Sequence, residues 1–168
     1  MSKGDELQAV QRPIKDRYDE DPDAAQITLE AEGTLDDEIA CSVQTGRAIV
    51  KAGLHPGTGG DGTLACSGDM LLQALVACAG VTMRSVATSM GLEVAGSIHA
   101  EGDLDWRGTL AIDKEAPGGF KDIRMRFELT SDASDEELET LERLTERYCV
   151  VLQTLVASPS LSVSLERG

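Results

Sequence analysis

The chain has 168 residues, which is enough for one hydrophobic core and short for two. Only 3% of the residues are aromatic, so aliphatic side chains must fill that core. Such a core leaves an isolated monomer little margin of stability, which favours subunit association. The formal net charge of -15 argues against nucleic acid or an anionic membrane as a partner, because phosphates are bound by clustered lysine and arginine.

The N-terminal region, residues 1–25, is polar and contains Pro13 and Pro22, and we expect an arm or a short helix there. It has no apolar segment of the kind that a secretory signal requires, and no run of ~20 apolar residues suggests a membrane span. The sequence therefore predicts a cytoplasmic protein without membrane contact, whose main domain covers residues 26–168.

Alternating apolar residues after Gln26 predict two strands joined by a hairpin that turns near Gly33 to Asp37. The apolar side is formed by Ile27, Leu29 and Ala31 in the first strand and by Ile39, Cys41 and Val43 in the second. Residues 52–68 are rich in glycine and lack a helix or strand period. We interpret them as a mobile entrance loop, since the G-K-[ST] of a phosphate-binding loop is missing.

An apolar stretch after Asp69 predicts a buried helix that stops at Gly91. The 14 residues between Asp69 and Arg84 carry no charge, which is too short a stretch to cross a bilayer. The helix therefore fits a protein core or a contact between subunits. Ser67 or Asp69 could cap its first turn by accepting backbone hydrogen bonds.

The period returns to two over residues 94–130, which predicts a pair of strands covered on one face. The expected inner residues are Ile98, Ala100, Leu104 and Trp106 in one strand and Ile123, Met125, Phe127 and Leu129 in the other. The expected outer residues include His99, Glu101, Arg124 and Arg126.

Ser134 and Glu137 form an S-x-x-E capping box ahead of a second, amphipathic helix. Leu161, Val163 and Leu165 alternate with polar residues and predict a final strand. The order of elements predicts an α+β fold, with a mainly antiparallel sheet packed on two long helices.

Two of the four cysteines, Cys78 and Cys149, lie in apolar runs at helical positions. Thiols from distant segments can reduce an oxidant and then join as a disulfide, although free cysteine also packs as a small hydrophobe. Cys41 and Cys66 are interpreted as packing or incidental thiols. The four lack C-x-x-C spacing and nearby histidines, so neither a metal site nor a cofactor is predicted.

Only a thiolate is nucleophilic, and apolar surroundings raise the pKa of a cysteine, so Cys78 needs help from another group. The candidate cations are Arg47, after the second strand, and Arg147, beside Cys149. Asp69 lies nine residues before Cys78 and would face away from its sulfur on an ideal helix, so capping is its expected role.

The period does not decide whether Cys149 lies inside one long helix or at a break between two. If a new helix begins there, its free N–H groups would lower the pKa of Cys149. On the straight helix around Cys78, the hydroxyls of Thr82 and Ser85 share the face of the thiol.

The chain resembles the OsmC/Ohr family of osmotically induced and organic-hydroperoxide-resistance proteins. The resemblance is carried by GDMLLQALVACAG around Cys78, by ERYCVVLQTL around Cys149 and by the order of elements from Gln26 to Glu166. It implies an intertwined homodimer and a thiol peroxidase that reduces organic hydroperoxides, with a lipoyl-type dithiol as the reductant. In that activity Cys78 would attack the peroxide, and its sulfenic acid would form a disulfide with Cys149.

Three positions depart from the family pattern. Asp69 stands where a glutamate is common, Val150 replaces a frequent proline, and the tip of the first hairpin has no arginine, for which Arg47 is a weak substitute. These departures favour the broader OsmC-like group. They also leave open a non-enzymatic dimer that binds a small apolar ligand in a cavity lined by the cysteines, or a purely structural dimer.

Overall fold

The computed structural model describes residues 48–167 without a break, together with residues 2, 4–6, 9, 11–13, 20, 33–35 and 40–45. The described N-terminal positions 4–6, 9, 11–13 and 20 are helical. Arg47 and the strand predicted over Ile27 to Ala31 lie outside the described residues.

The first sheet has four strands in the order β1 to β4, of which the first three are antiparallel neighbours and the last pair is parallel. Because Gly33 pairs with Val43 and Leu35 with Cys41, the hairpin turn predicted at Gly33 to Asp37 is wrong in its first three residues, and the rest of that prediction lies outside the described residues. The strands are β1 (Gly33–Leu35), β2 (Ala40–Thr45), β3 (Ala48–Gly53) and β4 (Ala65–Cys66).

Sequence reasoning missed β3 and β4. The run that forms β3, AIVKAG, has no regular alternation of apolar and polar residues. Strand β4 has only two residues, whose pairing with Ala52 and Gly53 depends on tertiary contact. The predicted loop is therefore shorter, at residues 54–64. It contains a 3-10 turn at Pro56–Thr58, and the ring of His55 stacks on Trp106 at 5.0 Å between centroids, which fastens the loop to the body of the protein.

The central helix α1 (Ser67–Met90) ends, as predicted, at Gly91, which adopts φ 73° and donates its N–H to the last helical carbonyls. The capping prediction is wrong. Cys66 occupies the N-cap without a side-chain hydrogen bond, so Ser67 is already helical and Asp69 lies in the first turn, where its charge favours the helix dipole.

By length and composition α1 is apolar enough to span a bilayer, a test that core helices of water-soluble proteins also pass. Its 24 residues exceed the uncharged stretch that the sequence shows, because the helix continues past Arg84. One face is buried in the protein and consists of Leu75, Ala79, Met83 and Ala87.

A second sheet is the antiparallel hairpin of β5 (Val94–Asp103) and β6 (Asp122–Ser131), in which Ile98 pairs with Phe127. The predicted alternation is confirmed in β6, where Ile123, Met125, Phe127 and Leu129 are half-buried and Arg124 and Arg126 are exposed. Leu104 and Trp106 lie beyond the end of β5, so their placement in this strand was wrong. Asp105 accepts a hydrogen bond from the N–H of Arg107 and so begins the short helix α2 (Trp106–Thr109).

The C-terminal helical region is broken. The capping box of Ser134 and Glu137 is confirmed at the start of α3 (Asp135–Tyr148), and a new helix, α4 (Val150–Val156), follows after Cys149. Cys149 adopts an extended ψ of 105°, which answers the question that the period left open. The amide of Gln153 donates to the carbonyl of Glu146 at 2.8 Å and satisfies an acceptor that the break would otherwise leave free.

The final strand predicted at Leu161, Val163 and Leu165 is wrong for the isolated chain. These side chains are 87%, 98% and 99% exposed, and residues 157–167 have no strand partner among the described residues. Alternation alone does not make a strand, because backbone hydrogen bonds need a neighbouring edge. The fold class is nevertheless confirmed as α+β, with small, mainly antiparallel sheets and long helices.

Candidate active site

Cys78 belongs to one longitudinal stripe of α1 that also contains Leu71, Leu75 and Thr82, because residues spaced by three and four share a helix face. This stripe faces the junction between α3 and α4, where Cys149 is completely buried. Leu75 and Cys149 belong to one core cluster, and Cys78 packs against it. The fold therefore brings the two predicted thiols together from distant segments.

The sulfur of Cys78 is surrounded by hydrogen-bond donors. Burial works to raise the pKa of Cys78, but the N–H groups of Val151 and Val150, the thiol of Cys149 and the hydroxyl of Thr82 together outweigh it. The net effect holds the pKa of Cys78 below the ordinary thiol value of 9.0. Cys78 is therefore the thiol that ionises first.

Cys149 shows the opposite behaviour. Its burial raises the pKa of its thiol, the N–H of Leu152 acts against that rise, and the contact with Cys78 adds to it. Ionising Cys149 would place a second negative charge beside the first in a buried position. The N–H groups at the helix start do act to lower the pKa of Cys149, but the net shift is upward, so Cys149 stays the neutral donor when Cys78 ionises.

No described cation contributes to the lowered pKa of Cys78. The guanidinium of Arg147, one of the predicted candidates, lies 5.8 Å from the ring centroid of Tyr148, and that of Arg84 donates to the carbonyl of Val94 at 2.9 Å. Arg47 lies outside the described residues. The acidity of Cys78 therefore comes from four local hydrogen-bond donors, two of which are backbone N–H groups that the sequence does not reveal.

Asp69 is exposed and lies about 13 Å along α1 from Cys78, given the rise of a helix. As expected from its spacing, it is not among the groups that set the pKa of Cys78. With Cys66, His55 and Trp106 it lines a separate cavity of 300 Å³. Within the described residues, no three histidine, cysteine or acidic side chains are grouped so as to hold a metal ion.

An apolar groove of 690 Å³ lies beside the thiol pair, between α1, β6, α3 and α4. Leu75 and Leu152 belong both to the wall of this groove and to the cluster around Cys149, so the groove adjoins the thiols. The sequence periodicity of each helix and strand predicts its apolar side. The groove itself forms only where these elements pack together, so the sequence does not predict it. Its apolar lining is completed by Leu71, Phe120, Ile123, Met125, Phe127, Leu155 and Val156.

These features define a class of small α+β proteins in which a cysteine on a long central helix meets a second cysteine at a later helix junction. The family model described as OsmC-like protein matches residues 60–164, and the chain belongs to that family. No curated protein matches the chain significantly in sequence.

Solved structures share the fold at low sequence identity. An OsmC-like protein from Mycoplasma pneumoniae has a TM-score of 0.67 at 14% identity, covering 79% of this chain and 90% of its own. An organic hydroperoxide resistance protein OsmC from Legionella pneumophila has 0.57 at 18% identity, covering 79% and 92%. An organic hydroperoxide resistance protein from Elizabethkingia anophelis has 0.60 at 14% identity, covering 80% and 91%.

Proposed function

We propose that the protein is a thiol peroxidase that reduces organic hydroperoxides through Cys78 and Cys149. The observation that carries the proposal is the contact between the two thiols, in which the pKa of Cys78 is lowered and that of Cys149 is raised. A nucleophile and a neutral resolving thiol are what such a reaction needs. Membership of the OsmC-like family and the names of the proteins from Legionella pneumophila and Elizabethkingia anophelis support the same activity.

The first step is attack of the Cys78 thiolate on a peroxide oxygen. The S–O bond forms as the O–O bond breaks, and the alkoxide that leaves takes a proton from water to become an alcohol. The sulfur of Cys149 then attacks the sulfenic acid on Cys78. The S–S bond forms, the S–O bond breaks, and the departing hydroxide combines with the proton of Cys149 as water.

The disulfide needs an external reductant, for which we propose a small dithiol of the lipoyl type. Exchange transfers the disulfide to the dithiol and restores both cysteines as thiols. A cytoplasmic location fits this cycle, since the thiols of that compartment are kept reduced. Two further catalytic residues stay predictions that rest on the family resemblance: Asp69, at the position of the common glutamate, and Arg47, as the substitute for the arginine.

We also propose that the active form is an intertwined homodimer of the domain at residues 26–168, with residues 1–25 as an arm. Val81 on α1 is 73% exposed, and the tail residues Leu161 and Val163 are more exposed still. Apolar surface of this extent favours burial against another subunit. The same surface explains how a chain with so few aromatic residues could gain further core on association.

Thiol titration with cumene hydroperoxide tests the peroxidase. With one equivalent, the reduced wild-type protein should lose two of its four thiols, because Cys78 and Cys149 join as a disulfide. Cys149→Ser should stop at a sulfenic acid on Cys78, which a dimedone adduct detects by mass spectrometry. Cys78→Ser should react at the background rate of a free thiol.

Cys66→Ser is the matched control, since Cys66 is a half-buried thiol about 18 Å along α1 from Cys78 and should leave the two-thiol loss unchanged. Equal rates for Cys78→Ser and wild type, or no thiol loss in wild type, would contradict the peroxidase.

The 690 Å³ apolar groove favours a second candidate function, the binding of a small apolar ligand without chemistry. In that case an environment-sensitive apolar dye should bind the reduced protein, while cumene hydroperoxide should leave all thiols intact. Thiol loss that depends on Cys78 excludes this function as the sole role.

A further inference from the structure

Helix α3 carries an acidic stripe, which we define as Asp135, Glu139, Glu142 and Glu146. The spacings of four, three and four residues place these carboxylates on one face of the helix. Glu142 and Glu146 line the 690 Å³ groove beside the thiols. Asp135, Glu139 and Glu142 line a second groove of 540 Å³ between α3 and β6.

The two grooves are continuous along the inner face of β6. Met125 and Phe127 line both of them, and so does Glu142 of the acidic stripe. The floor is apolar and the rim on the α3 side is acidic along its whole length. A ligand that buries a hydrocarbon part against Met125 and Phe127 therefore lies close to these carboxylates.

Other charges on the rim neutralise the stripe only in part. Neither Glu142 nor Glu146 forms an ion pair with another described residue. The 690 Å³ groove is also lined by Lys121, one positive charge against the two carboxylates of Glu142 and Glu146, while Asp122 is paired with Arg124 at 2.6 Å. On the 540 Å³ groove, Arg126 is engaged by Glu128 at 2.9 Å.

The groove comes within about one helical turn of the proposed nucleophile. Leu71 and Leu75 form its wall on α1, and Cys78 is the next member of the same stripe of that helix. A hydroperoxide that lies on the two leucines is therefore about one helical turn from Cys78, which is itself outside the groove lining. Charges on the rim act on a bound ligand through a partly apolar medium, in which they are felt more strongly than in water.

From this arrangement we propose that the acidic stripe makes the site selective for hydroperoxides without a negative charge, and that carboxylate-bearing hydroperoxides are rejected. The proposal rests on the peroxidase function proposed above. It assigns Glu142 and Glu146 as residues that determine specificity through charge, while the apolar floor binds the hydrocarbon part of either kind of substrate.

The test compares cumene hydroperoxide with its para-carboxylate derivative, which has the same hydrocarbon frame and the same reactive group. The measured quantity is the second-order rate constant for oxidation of Cys78 in the reduced wild-type protein. At low ionic strength we expect cumene hydroperoxide to react at least about fivefold faster, from two carboxylates at close range. In 0.5 M NaCl the preference should fall below about twofold, because salt screens the rim.

The double variant Glu142→Gln, Glu146→Gln should lose the preference even at low salt. Glu136→Gln is the control, since Glu136 is exposed on the same helix and lines neither groove. Circular dichroism checks that the variants fold, and the salt series on wild type needs no variant.

Equal rates with the two hydroperoxides at low salt would overturn the selectivity and leave the peroxidase intact. So would a preference that survives both 0.5 M NaCl and the double variant. If neither compound oxidises Cys78 faster than a free thiol, the peroxidase itself fails, and the selectivity with it.

Discussion

The acidity of Cys78 arises from hydrogen bonds, and this sets its pH dependence. Burial alone would raise the pKa of this thiol, yet the donors of Val151, Cys149 and Thr82 prevail. The oxidation rate of Cys78 should therefore rise with pH as the thiol ionises and level off above a midpoint that lies below 9.0.

Thr82→Val isolates one of these donors. Valine keeps the shape of the side chain and removes the hydroxyl, so the midpoint of the pH profile should move to higher pH. Alkylation of Cys78 by iodoacetamide across a pH series measures it, in a Cys66→Ser background. Thr88→Val is the matched control, because the hydroxyl of Thr88 donates to the carbonyl of Arg84 and not to a thiol. An unchanged midpoint in Thr82→Val would show that the Thr82 hydroxyl does not lower the pKa of Cys78.

At the residue scale, the sequence identified the thiols but not their surroundings. Cys78 and Cys149 stand out in apolar runs, and Thr82 follows Cys78 by one helical turn. The backbone donors of Val150 and Val151 become available only because the chain breaks at Cys149, and no side-chain pattern marks that break. The N-cap of α1 was misplaced for a similar reason, since Cys66 occupies it without a capping side chain.

At the scale of helices and strands, clear local sequence patterns predicted the structure correctly. The apolar face of β6, the capping box of α3 and the stop of α1 at Gly91 follow from local chemistry. The strands β3 and β4 follow from pairing instead, and neither has a period of its own. Short elements held by their neighbours are where reasoning from sequence fails in this protein.

Gly96→Ala tests how the β5–β6 hairpin depends on one glycine. Gly96 has φ 138°, and a Cβ there would lie 1.9 Å from the carbonyl oxygen of Glu128 on the paired strand. We expect a loss of about 3 kcal/mol in the free energy of unfolding, from backbone strain and the displaced strand.

Urea denaturation followed by circular dichroism measures this loss. Gly118→Ala is the control, because a Cβ at Gly118 meets nothing within 4 Å. A Gly96→Ala protein as stable as this control would show that the hairpin tolerates a side chain at that position.

At the scale of the whole molecule, the α+β class followed from the order of periods along the chain. The final strand did not, because its predicted residues find no edge within the described part of one chain. Alternation shows which side of a segment is apolar. It does not show whether the surface that packs against that side belongs to the same chain or to another subunit.

The proposed homodimer can be tested through Val81, which is 73% exposed on the apolar helix α1. Wild-type protein should sediment at about twice the 17.8 kDa of one chain. Val81→Glu should shift the species towards the monomer, since a buried unpaired charge is costly at an interface. Ser89→Glu is the control, a change to the same side chain at an exposed polar position of α1. A wild-type monomer at micromolar concentration would contradict the proposal.

The C-terminal segment exposes Leu161 and Val163 to solvent. If a second copy supplies the strand edge that this segment lacks, the segment becomes ordered only on dimerisation, which depends on protein concentration. Dilution, more than heat, would then uncover the C-terminus to proteases. The protein would then resist proteolysis at high concentration and be degraded faster at low concentration, so its half-life would increase with its concentration.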